Sequence, residues 1–175
     1  MSAALRPPRR LAWRRAGWLA TIVVSGALLA AGRALAAAPS DPKVAVRLWY
    51  EAFDSGKASL LDDLLDPRWV DIPSPPSDLT GPDAAKASLK GLRTAFPDFA
   101  IRVEDVLQDG DKVVVRSRIT ATQRGVFLGH PASARALDIQ AVDIHQFRGG
   151  KIIRTWHTED WMTGLRQLGL MKINP

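Results

Sequence analysis

Leu137-Asp138-Ile139-Gln140-Ala141-Val142-Asp143-Ile144-His145-Gln146-Phe147-Arg148-Gly149-Gly150-Lys151-Ile152-Ile153-Arg154-Thr155-Trp156-His157-Thr158-Glu159-Asp160-Trp161 is the stretch that decides the fold. Before Gly149-Gly150 apolar side chains recur at every second position, the period of a half-buried strand, and the Gly pair tolerates the positive φ that a tight hairpin needs. The spacing predicts two antiparallel strands joined by that turn. In the first strand Ile139, Ala141, Asp143, His145 and Phe147 share one face. A carboxylate and an imidazole two residues apart among apolar neighbours influence each other's protonation. The alternatives for this pair are a solvent-facing edge or a single hydrogen-bonded core histidine. In the second strand alternation groups Ile152, Arg154, Trp156, Thr158 and, where the strand persists, Asp160. It sends His157 and Glu159 to the opposite face, read as solvent-exposed. Asp160 also precedes a short closing helix through Gln167-Leu168-Gly169, which an Asp can N-cap without any catalytic role.

Working upstream, Phe99, Ile101 and Val103 alternate with Ala100 and Arg102, Asp109-Gly110 marks a turn, and Lys112 to Arg124 reads as a long strand. A Gly- and Pro-containing connection from Gly125 to Pro131 leads to the next strand. Before Phe99 the period is helical. Asp41-Pro42 starts a helix whose apolar face is Ala45, Leu48, Trp49, Ala52 and Phe53, and Ser55-Gly56 ends it. A short helix carries Leu60, Leu61, Leu64 and Leu65, Trp69-Val70-Asp71-Ile72 reads as a brief strand, and Pro73 opens a Pro/Ser-rich loop to Thr80. A third helix starts at Gly81-Pro82-Asp83, buries Ala85, Leu89, Leu92 and Phe96, and stops before Pro97. Helices first and a strand meander afterwards predict an α+β fold with the helices laid across one face of a curved antiparallel sheet.

The formal charge of +6 comes from residues 1 to 36. That segment holds six arginines (Arg6, Arg9, Arg10, Arg14, Arg15, Arg33) and no acid; removing them from 24 basic residues leaves 18 against 18 Asp plus Glu. The remainder is neutral, so the charge argues for neither nucleic acid nor an anionic surface as its partner. Residues 1–36 read as an export signal of possible twin-arginine type. They combine an arginine-rich start, an uncharged run from Ala16 to Gly32 and a small-residue cleavage site at Ala34-Leu35-Ala36. A periplasmic or secreted location follows, with no membrane partner unless the leader stays uncleaved. Residues 37–175 then form one domain, of a size that supports a single core. With no cysteine in the chain, disulfides, thiolate metal sites and cysteine nucleophiles are excluded. His130, His145 and His157 show no metal-ligand spacing, and no phosphate-binding glycine loop or G-x-S-x-G is present, so no metal and no cofactor is expected.

The series Phe96-Pro97-Asp98-Phe99, Asp109-Gly110-Asp111-Lys112-Val113-Val114-Val115-Arg116, Gly125-Val126-Phe127-Leu128-Gly129 and Gly150-Lys151-Ile152, with Trp156, Asp160 and Gln167-Leu168-Gly169, resembles the SnoaL-like polyketide cyclases, or ester cyclases. The resemblance covers nearly all of the chain after the leader. It implies the cone-shaped fold of nuclear transport factor 2, with helices and a curved sheet enclosing a pocket. It also implies cofactor-free aldol-type ring closure alpha to a carbonyl, with Asp160 as general acid/base, His145 as its pocket partner and Trp156 in the apolar wall. Pro131-Ala132-Ser133-Ala134-Arg135 departs from the family's connection at that point. A second resemblance, of Ala141 to Phe147 and Gly150-Lys151 to ketosteroid isomerase, implies Asp71 as base and Asp143 as donor to the enolate oxygen. There Trp49 is the closest match to that enzyme's first-helix tyrosine, and Tyr50 lies one residue off. The partners implied are a small hydrophobic carbonyl compound and a second copy of the chain. A non-catalytic module holding a hydrophobic ligand in the same cavity is the competing class.

Overall fold

The computed structural model describes residues 41–74 and 78–171. The segments expected to form an export leader, its cleavage site and a tether, residues 1–40, lie outside the described residues. The first helix, α1, spans Pro42–Ser55. Asp41 caps it by accepting from Lys43 N at 2.8 Å, and Gly56 closes it at φ 75°, a left-handed backbone that glycine adopts without a Cβ clash. The helix turns Ala45, Val46, Trp49, Tyr50, Ala52 and Phe53 inward. A single turn, α2 (Leu60–Leu64), leads into β1 (Leu65–Ile72), longer than the brief strand expected. Next comes α3 (Gly81–Ala95), with Ala85 and Leu89 buried on its inner side. The strands β2 (Ala100–Asp109), β3 (Lys112–Thr122), β4 (Ala136–Arg148) and β5 (Lys151–Glu159) follow, and α4 (Trp161–Gln167) closes the domain.

The five strands form one sheet in the order β1-β5-β4-β3-β2. The last four make the antiparallel meander that the turns predict, and β1 joins by pairing parallel to β5. The parallel pair requires the chain to return from β1 through α3 and the meander before β5 comes to rest beside it. Along β3 and β4 the odd positions are buried and the even ones more open, so one face of the sheet takes the core. Val113, Val115, Ile119, Leu137, Ile139 and Phe147 meet the apolar sides of α1, α2 and α3 there. Fully burying one such side chain contributes about 1.5–3 kcal/mol, so this layer is the main source of stability in a chain without disulfides.

One irregularity sets which side chains of β5 face the core. On the β4–β5 ladder Gln146 pairs with Arg154 but Phe147 pairs with Ile152, so β5 carries one extra residue just after the hairpin. The bulge exchanges the two faces of β5 beyond it. Ile152 and Thr155 are both buried, and Arg154 is exposed.

Candidate active site

Between the sheet, α1, α3 and the start of α4 lies a cavity of about 410 Å³. Its wall is aromatic, with Trp49 and Phe53 from α1, Trp69 from β1, Phe99, Phe127 and Trp161. Into this apolar space project Asp71, Asp143, His157 and Glu159. Sheet register explains why four polar groups meet: Asp143 lies opposite His157 and Ala141 opposite Glu159 on the β4–β5 ladder, while Asp71 on β1 lies beside Thr155. The small side chain of Ala141 leaves room next to Glu159.

Behind Asp143 runs a chain of buried hydrogen bonds. The Tyr50 hydroxyl donates to Asp143 Oδ2 at 2.6 Å and sits 3.1 Å from His145 Nε2. His145 Nδ1 is 3.0 Å from Thr155 Oγ1, which also accepts from the Trp69 indole at 3.0 Å. Donor counting sets the direction. Tyr50 has one proton and gives it to Asp143, so its oxygen accepts from His145 Nε2–H; His145 Nδ1 is then an acceptor and Thr155 donates to it. His145 is therefore the neutral Nε2–H tautomer, in keeping with complete burial, which pushes its pKa down to about 3. Burial also raises the Tyr50 hydroxyl well above its ordinary value, with the Asp143 charge adding to the effect, so Tyr50 stays protonated.

Burial likewise raises the Asp143 carboxyl to about 6; the Tyr50 hydrogen bond opposes this and the nearby Glu159 charge reinforces it. His157 is moved the other way relative to a buried imidazole. Its Nδ1 is 2.9 Å from Asp71 Oδ1, and this bond raises its pKa against the effect of partial burial. The cavity thus sets a carboxyl made more basic by burial beside an imidazole that Asp71 both orients and makes more basic. Glu159 accepts from the Trp161 indole N–H. Among the described residues no lysine or arginine lines the cavity.

The structure brings Asp71, Asp143 and Trp49 to the cavity wall and sets His145 behind it, reaching Asp143 through Tyr50. Asp160 is elsewhere. It is exposed and caps α4 by accepting from Thr163 N at 3.0 Å, which lowers its pKa below the ordinary carboxylate value. That is the capping role, so the expected Asp160–His145 pair across a dry pocket does not form. Trp156 is also displaced: it lies on the outer face of the sheet, with the Arg154 guanidinium 5.4 Å from its ring centre. His157 and Glu159, expected to face solvent, line the cavity instead. The β5 bulge produces both changes, because alternation counted from Ile152 is inverted after Ile153. Sequence reasoning also passed over Tyr50 as a site residue, although Val46, Tyr50 and Phe53 follow the spacing of a buried helical face. Among the described residues no group of three or more His, Asp or Glu side chains is arranged to hold a metal ion. None of the described helices is long and apolar enough to cross a membrane.

No curated protein matches the sequence. Among solved structures, TsrD from Streptomyces laurentii superposes with a TM-score of 0.67 at 26% identity, covering 72% of this chain and 92% of its own. A candidate polyketide cyclase from Bacillus cereus gives 0.64 at 29% identity, over 74% of this chain and 82% of that one. IdmH, a candidate polyketide cyclase from Streptomyces antibioticus, gives 0.63 at 26% identity, over 71% and 95%. Helices on one face of an open curved sheet, an aromatic cavity between them and a family model matching residues 43–168 agree: the chain belongs to the SnoaL-like polyketide cyclase family, with the nuclear transport factor 2-like fold.

Proposed function

We propose that the protein is a cofactor-free acid/base catalyst that acts alpha to a carbonyl of a small hydrophobic substrate, in an aldol-type ring closure or a related enolisation. The observation that carries this reading is Asp143: a carboxyl raised to about 6 in the wall of an aromatic cavity, opposite His157 on the neighbouring strand. A general base works best with a pKa near the operating pH, and desolvation supplies that shift here. Asp143 takes the proton from the carbon alpha to the carbonyl, and the carbon–hydrogen electron pair becomes the enolate. The His157 imidazolium, held by Asp71, donates to the enolate oxygen as charge develops. In a ring closure the enolate carbon attacks a second carbonyl of the same substrate, and Asp143 returns the proton to the alkoxide, so no oxidant or further reactant is consumed.

Deuterium wash-in at the alpha carbon of 2-tetralone tests the chemistry without knowledge of the natural substrate. Asp143→Asn is expected to slow enzyme-dependent exchange by about 10²–10⁴-fold, the usual worth of a positioned acid or base. Exchange unchanged in a folded variant rejects Asp143 as the base. Binding of the ketone with no exchange by the natural chain leaves the ligand-binding module in its place. In wild type the rate is expected to rise through pH about 6 as Asp143 ionises and to fall above the ordinary imidazole range as His157 loses its proton. The export leader belongs to the same reading and locates the reaction outside the cytoplasm, a point N-terminal sequencing of the mature chain decides. So does the homodimer, for which exposed Val70, Leu107 and Val142 give the outer sheet face apolar ground.

A further inference from the structure

Part of the cavity wall comes from the loop between β3 and β4, which folds around one buried side chain. Gln123, the residue just after β3, is completely buried. Its backbone pairs with the far end of the loop: Gln123 N donates to Arg135 O and Ala134 N donates to Gln123 O, both at 3.0 Å. Its amide nitrogen faces three carbonyls within the loop, Gly125 O at 3.2 Å, His130 O at 3.3 Å and Pro131 O at 3.1 Å, and its amide oxygen accepts from Ser133 Oγ at 2.8 Å. Without Gln123 those carbonyls would be left without this donor. At the tip Phe127 and His130 exchange two backbone hydrogen bonds, at 3.0 and 2.9 Å. The base is tied to α3, where Ala95 O accepts from both Arg124 N and Gly125 N at 2.9 Å.

The tip presents Phe127 and Leu128 to the cavity. Phe127 packs edge-on against Phe96 with ring centres 4.9 Å apart and meets Trp161 at 5.0 Å. Trp161 is the residue whose indole N–H holds Glu159 in the cavity. A continuous path of contacts therefore runs from the Gln123 amide through the loop to Phe127, to Trp161 and to a cavity carboxylate. Leu128 is 68% exposed yet keeps a left-handed backbone at φ 49°, a conformation that costs free energy for a branched side chain and persists only where surroundings enforce it.

We infer that Gln123 is a positioning residue that determines specificity: residues 124–134, folded around its amide, form a preset roof that limits the length of the ligand and fixes Trp161 and Glu159. The ligand is the small hydrophobic carbonyl compound of the proposed function, and only that part of the inference rests on it. The roof as a fixed element stands on the hydrogen bonds alone.

The test uses Gln123→Met, which keeps the length and volume and removes every hydrogen bond of the amide. Two quantities are read: hydrogen exchange of the Phe127 and His130 amides, and the ratio of affinities for acetophenone and 2-acetylnaphthalene followed by tryptophan quenching. The loop amides are expected to exchange at least about tenfold faster while β3 and β4 keep their protection, as for a local opening. The affinity ratio is expected to move about tenfold toward the larger ketone, a 1.4 kcal/mol change in discrimination. A purely structural role would lower overall protection and leave the ratio where it was, and that result overturns the inference, as does a loop whose exchange is unchanged. Should Gln123→Met fail to fold, Ser133→Ala removes only the bond to Oε1 and is expected to shift both readouts about threefold in the same directions; no shift overturns the inference. If wild type binds neither ketone, the ligand reading fails and exchange decides the roof. If the ratio shifts while Asp143→Asn retains full deuterium wash-in, the acid/base reading fails and the roof stands.

Discussion

Asp143 and His145 share one buried face two residues apart, and burial moves both toward their neutral forms, in opposite directions on the pH scale. Their contributions to stability therefore oppose each other. Asp143 has a folded pKa of about 6 against an ordinary 3.8, so its contribution is fully present below 3.8 and is lost as pH rises to 6. The size is about 3 kcal/mol at 1.36 kcal/mol per unit. His145 has a folded pKa of about 3 against 6.5, so its contribution is present above 6.5 and is lost as pH falls toward 3, about 5 kcal/mol in all. Between pH 4 and 6 the two slopes largely cancel in the natural chain. Asp143→Asn removes one of them and uncovers the other: urea midpoints at pH 4, 5 and 6 are expected to stay nearly level for the natural chain and to fall steeply with acid in the variant. Parallel curves would mean that Asp143 does not titrate in that window. The shared face of this pair was legible because β4 runs without a bulge from Ala136 to Gln146. The placement of Asp160 was not, since Asp serves a helix N-cap and a cavity equally well until the backbone around it is known.

At the scale of elements, Arg93 joins three pieces that the sequence shows only as separate segments. From α3 its Nη1 donates to Pro97 O at 3.1 Å, and its Nη2 reaches Phe53 O at 3.0 Å, Phe99 O at 3.3 Å and Asp54 O. Phe53 and Asp54 are in the last turn of α1, whose carbonyls lack partners within the helix and carry the negative end of its dipole. The guanidinium thus fixes the end of α1 against the start of β2, which in turn fixes Trp49, Tyr50 and Phe53 over the cavity. Arg93→Met keeps much of the aliphatic stem and leaves those carbonyls without a donor; an equilibrium urea titration is expected to show a loss of about 2–4 kcal/mol. Arg93→Lys should fall between, because one ammonium cannot reproduce the planar fork. A loss below about 0.5 kcal/mol for the Met variant would mean that water replaces the side chain at the helix end. The elements themselves were readable from hydrophobic period, from Asp41-Pro42 at one helix start and from the glycine turns, since each is a local signal. The Arg93 contact and the parallel β1–β5 pair depend on partners far along the chain, and no local period records them.

Across the described domain the cavity departs from close packing, and the sequence places its large and small residues accordingly. Aromatic rings from α1, β1, the connection between β3 and β4 and the start of α4 line most of it, whereas α3 contributes Ala85, Ser88 and Leu92. Ala85 and Ser88, set opposite rings on the other elements, keep a space open that larger residues at those two positions would fill. Such a space of about 410 Å³, lined chiefly by apolar groups, fits a compact ligand and explains why the core of helices and sheet does not collapse onto Asp143. Ser88 is half-buried and sits at the wall, so Ser88→Trp can place an indole into the cavity without displacing a buried core residue. If the cavity is the ligand site, 2-acetylnaphthalene at a hundred times its Kd should stabilise the natural chain by about 2.7 kcal/mol. Ser88→Trp should show no such gain, and its own stability should be equal or higher because the indole buries apolar surface. Thermal unfolding with and without the ketone separates the cases. An equal gain in both chains would place the ketone at another surface, and Asp143 and His157 would then have no role in meeting its carbonyl.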